Sequence, residues 1–346
     1  MKKSLIALAV LAASSAAMAQ SSVTLFGIVD ANVGYVNHSG AANKSVYGVG
    51  TSGNATSRLG FRGTEDLGGG LKAGFWLEGE LFNDAGNPAG FNFLRRSTVS
   101  LMGGFGEVRL GRDYTPTYLP FIKYDVFGQV GIGRNESLLR NWGGSTTADA
   151  SAVRQSNIVS YYSPNMSGFT GGLGYGFDEK TTGKEGRYVG VYGAYDNGPL
   201  SAALGFERRN VNAAGATDQD KMTLGASYDL KVAKLVGLVQ QTKLKTGSVS
   251  NKYNAYALGV TAPVGAGEVK AQYAMYDQKA IDSKAHHLSL GYVHNLSKRT
   301  ALYGTVAYMK NKDASALGLN ALGVTAGGPG AGNNQTGMQL GIRHSF

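Results

Sequence analysis

The sequence predicts an all-β chain that closes into a 16-stranded antiparallel barrel across a membrane. Three observations predict this fold: apolar and polar side chains alternate in runs, short and long connections take turns along the chain, and the composition disfavours helices. Glycine accounts for 52 of 346 residues and tyrosine for 19, whereas 16% of the residues are charged. Such a composition favours strands and tight turns.

The first residues have the anatomy of a secretory signal peptide. Lys2 and Lys3 precede an apolar run at 5–13 that is too short to span a bilayer as a helix, and a small-x-small site ends at Ala19. We expect residues 1–19 to be removed and 20–346 to form one domain of 346 − 19 = 327 residues, with a charge of +10 − 2 = +8. Export argues against nucleic acid as the partner of this basic chain, and the chain holds together without cysteine.

Period-two alternation recurs from one end of the chain to the other. In the stretch 23–35 most odd positions are apolar, while Asp30 and Asn32 fall between them, and 71–81 repeats the pattern. Further alternating stretches lie at 200–206, 222–228, 256–262 and 269–275. Each run has about ten residues, which is the length of a tilted strand that crosses a membrane.

The connections between these runs fall into two classes. Seven are short and rich in the residues that hairpin reversals prefer: 65–70, 103–106, 163–168, 196–199, 229–232, 263–267 and 295–299. Eight are longer and polar: 37–56, 83–92, 113–156, 178–186, 208–220, 243–253, 277–284 and 310–334. Long and short alternate, so all long connections lie at one end of the barrel, as in outer-membrane barrels with short periplasmic turns and long external loops.

The chain ends in the alternating stretch TGMQLGIRHSF, with Phe346 as its last residue. A sheet edge in lipid would leave backbone groups unpaired, so we expect this last strand to pair with the first and to turn its apolar row to lipid. The alternative is a soluble, secreted all-β protein such as a lectin or adhesin. The asymmetry of the connections favours the barrel.

Four stretches carry a family resemblance. They are SRLGFRGTEDLGGGLKAGFWLEGE (57–80), GGFGEVRLGRDYTP (103–116), SNIVSYYSPNMSGF (156–169) and the terminal GIRHSF. They closely resemble the general porins of β-proteobacterial outer membranes, and above all the anion-selective branch. The resemblance implies homotrimers of 16-stranded barrels, each with a water-filled pore narrowed by an infolded third external loop. It also implies that Phe346 is part of the assembly signal; His344 stands where such strands more often carry Tyr.

Position within the alternation sorts the charged side chains. If Leu59 and Phe61 face lipid, then Arg58 and Arg62 face the lumen, and charges on the lipid face would be costly. The same reasoning turns a further set inward: Asp30, Lys72, Glu78, Glu80, Glu268, Lys270 and Arg343. The neighbours Arg95 and Arg96 cannot both face inward on a regular strand.

The resemblance implies which arginines narrow the pore. It implies that Arg95 faces the lumen, that Arg96 lies near a strand end or subunit contact, and that Arg154 joins Arg58 and Arg95 in a basic cluster. Arg112 is a weaker candidate. We expect the long segment 113–155 to fold inward and these arginines to make the pore anion-selective, because arginine stays charged and basic rings select anions. The alternative is that Glu78 or Glu80 neutralises them.

The sequence therefore predicts an outer-membrane porin for passive diffusion of small hydrophilic solutes, with small anions preferred. We expect no catalysis, cofactor or metal, and membrane lipids and lipopolysaccharide as surroundings. A channel specific for small dicarboxylates or sugars is the alternative, with Tyr118, Tyr124 and Trp142 as a candidate aromatic slide. An outer-membrane barrel enzyme is a weaker one, because the sequence lacks a G-x-S-x-G nucleophile elbow and histidines at metal-ligand spacing.

Overall fold

The computed structural model describes residues 22–40, 45–86, 91–137, 153–211, 217–279, 282–319 and 328–346. The expected signal peptide at 1–19 lies outside the described residues, as does Trp142. In the part of the chain that the structure describes, no helix is long and apolar enough to cross a membrane.

Strands make up nearly all of the regular structure. They are β1 (Ser22–His38), β2 (Val46–Thr51), β3 (Arg58–Gly68), β4 (Leu71–Glu80), β5 (Arg96–Gly103), β6 (Gly106–Tyr114), β7 (Arg154–Tyr162), β8 (Phe169–Gly176), β9 (Tyr188–Asn197), β10 (Leu200–Asn210), β11 (Thr217–Asp229), β12 (Lys234–Thr246), β13 (Val249–Val264), β14 (Gly267–Gln278), β15 (Ser283–Asn295), β16 (Thr300–Asp313) and β17 (Gln335–Ser345). A short 3-10 helix, Leu119–Tyr124, follows β6.

All seventeen strands belong to one antiparallel sheet that closes on itself. Both β2 and β3 pair with β1, one with its second half and the other with its first half. They are therefore two segments of a single barrel strand, interrupted at 52–57, and the barrel has 17 − 1 = 16 strands. The predicted all-β, 16-stranded antiparallel barrel is confirmed.

The two ends of the chain close the barrel. Strand β1 pairs with β17 along eleven residue pairs, from Ile28 opposite Ser345 to His38 opposite Gln335. Beyond this ladder, Gly27 N donates to Phe346 O at 3.1 Å and Phe346 N donates to Gly27 O at 3.0 Å. The apolar row of β17 lies on the exposed face, with Leu340 67% exposed. The predicted pairing of the last strand with the first is confirmed.

The short turns lie at the seven predicted places, but three of the long connections differ from prediction. The segment 37–56 contains β2. The outward residues of this strand include Tyr47 and Val49, but its inward residues Gly48 and Gly50 are glycines. The strand therefore lacks the polar row by which the other strands are recognised in the sequence. Most of 243–253 is strand as well, because β12 and β13 extend until only two residues separate them. The strands of 208–220 likewise extend to Asn210 and from Thr217.

The described part of the long segment after β6 lies on the polar face of the sheet. Segment 115–137 donates backbone hydrogen bonds to side chains of β14 and β17, far along the barrel wall. The pairs are Val126 N with Gln272 Oε1 at 3.3 Å, Ile132 N with Gln339 Oε1 at 3.0 Å, and Glu136 N with Tyr276 OH at 3.0 Å. Contacts with strands so far apart in one closed sheet support the predicted infolding of this segment.

Apolar side chains of the same segment form one side of the main buried core. Phe121 and Tyr124 are 0% and 1% exposed, and they pack with Val126, Phe127 and Ile132 against small residues of the wall. Close by, the Thr117 hydroxyl donates to Glu207. Glu207 in turn pairs with Lys221 at 2.7 Å, with both side chains under 5% exposed. This buried ion pair and the apolar core fix segment 115–137 to β9–β15.

Glycines in four strands provide the room for these side chains. A Cβ added to Gly205, Gly225, Gly259 or Gly291 would lie 2.8, 2.1, 2.7 or 2.9 Å from Phe121, Tyr124, Val126 or Phe127, respectively. Real Cβ atoms do not approach this closely, so each larger residue would push the segment away from the wall. Part of the high glycine content therefore allows this segment to pack closely against the barrel wall.

Substituting Gly225→Ala should destabilise the barrel because its Cβ would meet the Tyr124 ring. We expect the free energy of unfolding to fall by about 1–3 kcal/mol. The matched control is Gly193→Ala, since a Cβ there meets no atom within 4 Å. Urea unfolding in detergent, followed by tryptophan fluorescence and gel mobility, measures the free energy of unfolding of both variants. Equal values would contradict the close packing of Tyr124 against Gly225.

Candidate functional site

A cavity of about 340 Å³ lies between segment 115–137 and the wall formed by β3, β4, β6, β7 and the residue before β5. Four arginines line it, and we call it the arginine cavity. Its lining residues are Asn54, Ala55, Thr56, Arg58, Glu80, Arg95, Tyr114, Tyr118, Ile122, Gly128, Gln129, Val130, Arg134, Val153 and Arg154. The structure thus brings together Arg58, Arg95 and Arg154, the three residues predicted to form a basic cluster.

Strand order explains why residues so far apart in sequence meet. Arg58 begins β3, Arg95 directly precedes β5, and Arg154 begins β7. All three strands run toward the short turns, and the register places Arg58 opposite Glu80 and Arg96, the neighbour of Arg95, opposite Glu78. Arg154 is opposite Tyr114, whose hydroxyl accepts a hydrogen bond from Arg95. Each arginine therefore reaches the same part of the interior.

Arg95 is the most deeply buried of the three, at 5% exposure. Its Nε donates to Glu78 Oε1 at 2.6 Å and its Nη2 donates to Tyr114 OH at 3.0 Å. Glu80 lies further away, 3.9 Å from Arg95 Nη1. A buried arginine with a short charge-assisted hydrogen bond is held in one orientation, so Arg95 forms a fixed part of the cavity wall.

Arg154 lies across Tyr114 from Arg95. Its Cζ is 4.2 Å from the centre of the Tyr114 ring, and its Nε donates to the Arg95 carbonyl at 2.8 Å. Both of these contacts are to uncharged groups, so they orient the guanidinium without cancelling its charge.

Arg58 and Arg134 complete the set. Arg58 is the more accessible, with its side chain 30% exposed and its Nε 3.9 Å from Glu78. Arg134 comes from segment 115–137 and contacts Glu136 at 3.0 Å. The sequence reasoning missed Arg134; its position within the expected infolded segment was the available signal.

The four arginines of the cavity and the carboxylates that contact them leave a small positive excess. Arg58, Arg95, Arg134 and Arg154 face the three carboxylates of Glu78, Glu80 and Glu136, which gives 4 − 3 = +1. The Glu78 carboxylate is only 9% exposed, since it lies behind Arg95 and also accepts a hydrogen bond from Trp76 Nε1. Glu78 and Glu80, the carboxylates of the alternative stated above, therefore offset part of this positive charge.

A second layer of arginines lies toward the short-turn end. Arg62 is placed over the rings of Phe26 and Trp76, with its Cζ 5.2 and 5.0 Å from their centres. Arg96 stacks on the same Trp76 ring at 4.6 Å and contacts Asp113 at 3.4 Å. Arg95 and Arg96 thus occupy one face after all, because Arg95 precedes the regular alternation of β5.

Asp30 has a different role from the one expected. It lies on the inward row, opposite Arg343, but the residues between β2 and β3 cover it and it is 0% exposed. Its carboxylate accepts hydrogen bonds from the backbone N–H groups of Gly53, Asn54 and Ala55 and from the Tyr303 hydroxyl. Asp30 therefore holds the interruption between β2 and β3, whose residues line the cavity, and does not itself line it.

Arg112 does not join the cluster, which corrects that assignment. It is paired with Ser97 in the row of Leu110 and Val99, whose side chains lie on the exposed apolar face. Its guanidinium donates to the Leu94 carbonyl at 2.7 Å and to Ser156 Oγ at 2.7 Å. The regular register of β5 with β6 decides this placement.

The remaining charged candidates lie on the polar row but do not line the cavity. Lys72 is opposite Asp66 beside a short turn, and Lys270 lies 3.5 Å from Glu268 near the same end of the barrel. Arg343 is opposite Asp30, and its Nη1 donates to Asn54 Oδ1 at 2.9 Å.

The aromatic residues of the long segment form no exposed slide in its described part. Tyr118 stacks on Tyr114 with ring centres 5.2 Å apart, but it is only 5% exposed. Burial raises the pKa of Tyr118, so its phenol stays neutral. Tyr124 is turned to the wall, where its hydroxyl lies 2.9 Å from Ser201 Oγ. Neither ring is open to a passing sugar.

Comparisons with known proteins place the whole barrel in one family. Residues 5–314 match the family model described as Gram-negative porin. The chain is 65% identical, over the full length of both proteins, to outer membrane porin protein 32 of Delftia acidovorans. It is 34% identical to an outer membrane porin protein of Bordetella pertussis, over 90% of this chain and 95% of that protein.

A solved structure shows the same architecture. The anion-selective porin from Comamonas acidovorans is 63% identical and superimposes with a TM-score of 0.91, covering 94% of this chain and 100% of that one. The outer membrane protein OmpT of Vibrio cholerae, at 15% identity and a TM-score of 0.67, shares the fold over 94% of this chain and 99% of that one. The arginine cavity thus lies inside a barrel of known type: the chain belongs to the Gram-negative porin family, and its location is the outer membrane.

Proposed function

We propose that the chain forms a water-filled channel for passive diffusion of small hydrophilic solutes, with a preference for small anions set at the arginine cavity. The observation that carries this proposal is the convergence of Arg58, Arg95, Arg134 and Arg154 on one cavity beside the inward segment. The anion-selective porin from Comamonas acidovorans, 63% identical, supports it. The channel lowers no chemical barrier and uses no cofactor or metal.

Even a net charge of +1 is enough for a measurable preference. At about 5 Å in a watery pore, one unit charge changes the energy of a monovalent ion by roughly 0.8 kcal/mol. An anion gains what a cation loses, so the difference is roughly 1.6 kcal/mol, or about tenfold in their ratio. Salt screens this field in part, while the low-dielectric barrel wall focuses it.

The burial of Glu78 favours anions further. Glu78 lies behind Arg95, whereas the Arg58 side chain is 30% exposed. A solute in the cavity therefore meets arginine before it meets Glu78. Arg62, with Phe26 and Trp76 beneath it, would extend the positive wall toward the periplasm.

The wider assignment completes the proposal. We expect removal of residues 1–19 on export through the periplasm, and assembly as homotrimers among membrane lipids and lipopolysaccharide. Light scattering in detergent tests the trimer. The alternative is a solute-specific channel. It is tested by liposome swelling with small dicarboxylates and with sugars of equal size. A specific channel requires that the uptake rate of one of these solutes saturates as its concentration rises.

Substituting Arg154→Glu should reverse the selectivity, because it changes the net charge at the cavity from +1 to −1. We expect the anion-to-cation permeability ratio to fall by roughly a hundredfold at low salt, two steps of about tenfold each. Zero-current potential in a KCl gradient measures it. The control is Arg208→Glu, since Arg208 pairs with Asp220 on the outer face. An unchanged sign in Arg154→Glu would contradict the proposal.

Substituting Glu78→Gln should act in the opposite direction. The net charge would rise to +2, so anions should be favoured by about tenfold more. Arg95 would also lose its charged partner, which should cost about 1–3 kcal/mol of unfolding free energy. Glu268→Gln removes the same charge next to Lys270, away from the cavity, and should change the potential much less. If both variants shift the potential equally, selectivity comes from the overall charge and not from this cavity.

A further inference from the structure

The barrel wall contains a second irregular element besides segment 115–137, namely the interruption 52–57 between β2 and β3. Two residues of β1, at 29 and 30, lie opposite it, because the ladder with β3 ends at Ile28 and the ladder with β2 begins at Ala31. Six residues therefore occupy the length of two. The surplus of 6 − 2 = 4 residues has to leave the plane of the sheet.

The interruption bends into the interior of the barrel and not into lipid. Its sequence, SGNATS, contains small and polar residues, which suit an aqueous lumen and would leave polar groups unpaired in hydrocarbon. Asn54, Ala55 and Thr56 line the arginine cavity, and Arg58 follows them at the start of β3. The interruption is therefore part of the wall of the pore.

Asp30 holds the interruption in this position. Three successive backbone N–H groups, those of 53–55, donate to its carboxylate at 3.1, 2.9 and 2.7 Å, and the Tyr303 hydroxyl donates to the same carboxylate. The backbone of Asp30 also takes part, since its N donates to Ser57 Oγ at 2.9 Å and its O accepts from Ser52 N at 3.0 Å. A carboxylate accepts at both oxygens, so it satisfies all four donors at once.

Tyr303 reaches Asp30 across the closure of the barrel. It lies on β16 opposite Gly341 of β17, whereas Asp30 lies on β1, the next strand. A Cβ added to Gly341 or to Gly53 would overlap the Tyr303 hydroxyl. Both glycines therefore leave the space through which the ring crosses β17, and the interruption is joined to the strands that close the barrel.

The interruption also supports the tip of the inward segment. A Cβ added to Gly131 would overlap the carbonyl oxygen of Gly53, and Gly131 has a φ of +66°, which glycine adopts without strain. The next residue, Ile132, donates its N–H to Gln339 Oε1 at 3.0 Å, and Gln339 Nε2 donates to Asn32 Oδ1 at 3.2 Å. The tip of the segment thus lies against the interruption and the strands beside it.

We propose that Asp30 is a positioning residue for permeation: by holding 52–57 against the inward segment, it sets the width of the pore at the arginine cavity. The same contacts set the distance between a passing anion and Arg58. Asp30 acts through the interruption and does not touch the solute, since it is 0% exposed. The inference rests on the channel function proposed above and names a residue that controls it.

A role in position and a role in charge predict different results. If Asp30 acted through its charge, Asp30→Asn would favour anions more at an unchanged pore width, and Asp30→Glu would change neither property. If Asp30 acts through position, both substitutions release 52–57. The amide nitrogen of Asn would face N–H donors, and the longer Glu side chain does not fit among N–H groups spaced for Asp.

The first test measures the size limit of the pore with neutral polyethylene glycols of increasing length. The full-length, folded protein is placed in planar bilayers, and polymer entry is detected as a fall in single-channel conductance. We expect polymers that the unaltered channel excludes to enter both Asp30→Asn and Asp30→Glu. Neutral polymers report on width alone, so this result does not depend on the ion selectivity of the pore.

The second test measures selectivity in Asp30→Glu, which keeps the charge of the unaltered protein. A wider pore that moves a passing ion from about 5 to about 10 Å from the net positive charge lowers the anion-to-cation ratio by about fourfold. Zero-current potential in a KCl gradient measures this change. If the unaltered channel itself shows no anion preference, the proposed function fails, whereas the size limit still tests the role of Asp30.

The matched controls are Asp220→Asn and Asp220→Glu. Asp220 accepts two hydrogen bonds from Arg208 on the outer face, at 2.6 and 2.8 Å, so the same substitutions there should change neither the size limit nor the potential. An unchanged size limit in both Asp30 variants would overturn the proposal, and so would an equal increase in the Asp220 variants.

Amide hydrogen exchange provides a measurement that needs no current. The amides of 53–55 should exchange at least about tenfold faster in Asp30→Asn, because their common acceptor is lost. Tyr303→Phe removes one donor and no charge, so exchange there should increase by a smaller factor. Asn has nearly the size of Asp, which keeps both measurements available where Asp30→Glu does not assemble. Equal protection of 53–55 in Asp30→Asn and the unaltered protein would contradict the proposal.

Discussion

The structure depends above all on pairing every backbone N–H and C=O group where no water can reach. In lipid an unpaired sheet edge costs several kcal/mol per group, so the sheet must close. Closure is achieved where β1 meets β17 and where Gly27 and Phe346 exchange hydrogen bonds. Once the sheet is closed, each strand has an outward row in lipid and an inward row in the interior, and the other features follow from this division.

The interior row is shaped to hold one segment of the chain and a group of arginines. Glycines at four positions leave space for the aromatic and aliphatic side chains of 115–137, and the buried Glu207–Lys221 pair anchors Thr117. The other side of the segment then faces the wall in which β3, β5 and β7 begin. Arginines at those strand beginnings are then held by Glu78 and Tyr114, so charge is concentrated by architecture and not by sequence proximity.

Arginine, and not lysine, lines the cavity for physical reasons. Inside, planar guanidinium groups stack on Trp76 and Tyr114 and donate in fixed directions, which a pore needs if its field is to be constant.

The sequence by itself determined the closed barrel, its sixteen strands and the inward direction of Arg58 and Arg62, because a period of two in strands of this length leaves one arrangement compatible with lipid. Only the tertiary structure decided the roles of Asp30, Arg96, Arg112 and Arg134. The interruption at 52–57, the irregular stretch before β5 and the fold of 115–137 break the alternation on which sequence reasoning depends. Where the two-residue alternation is lost, contacts between residues far apart in sequence fix the position of a side chain, and these contacts cannot be read from the sequence.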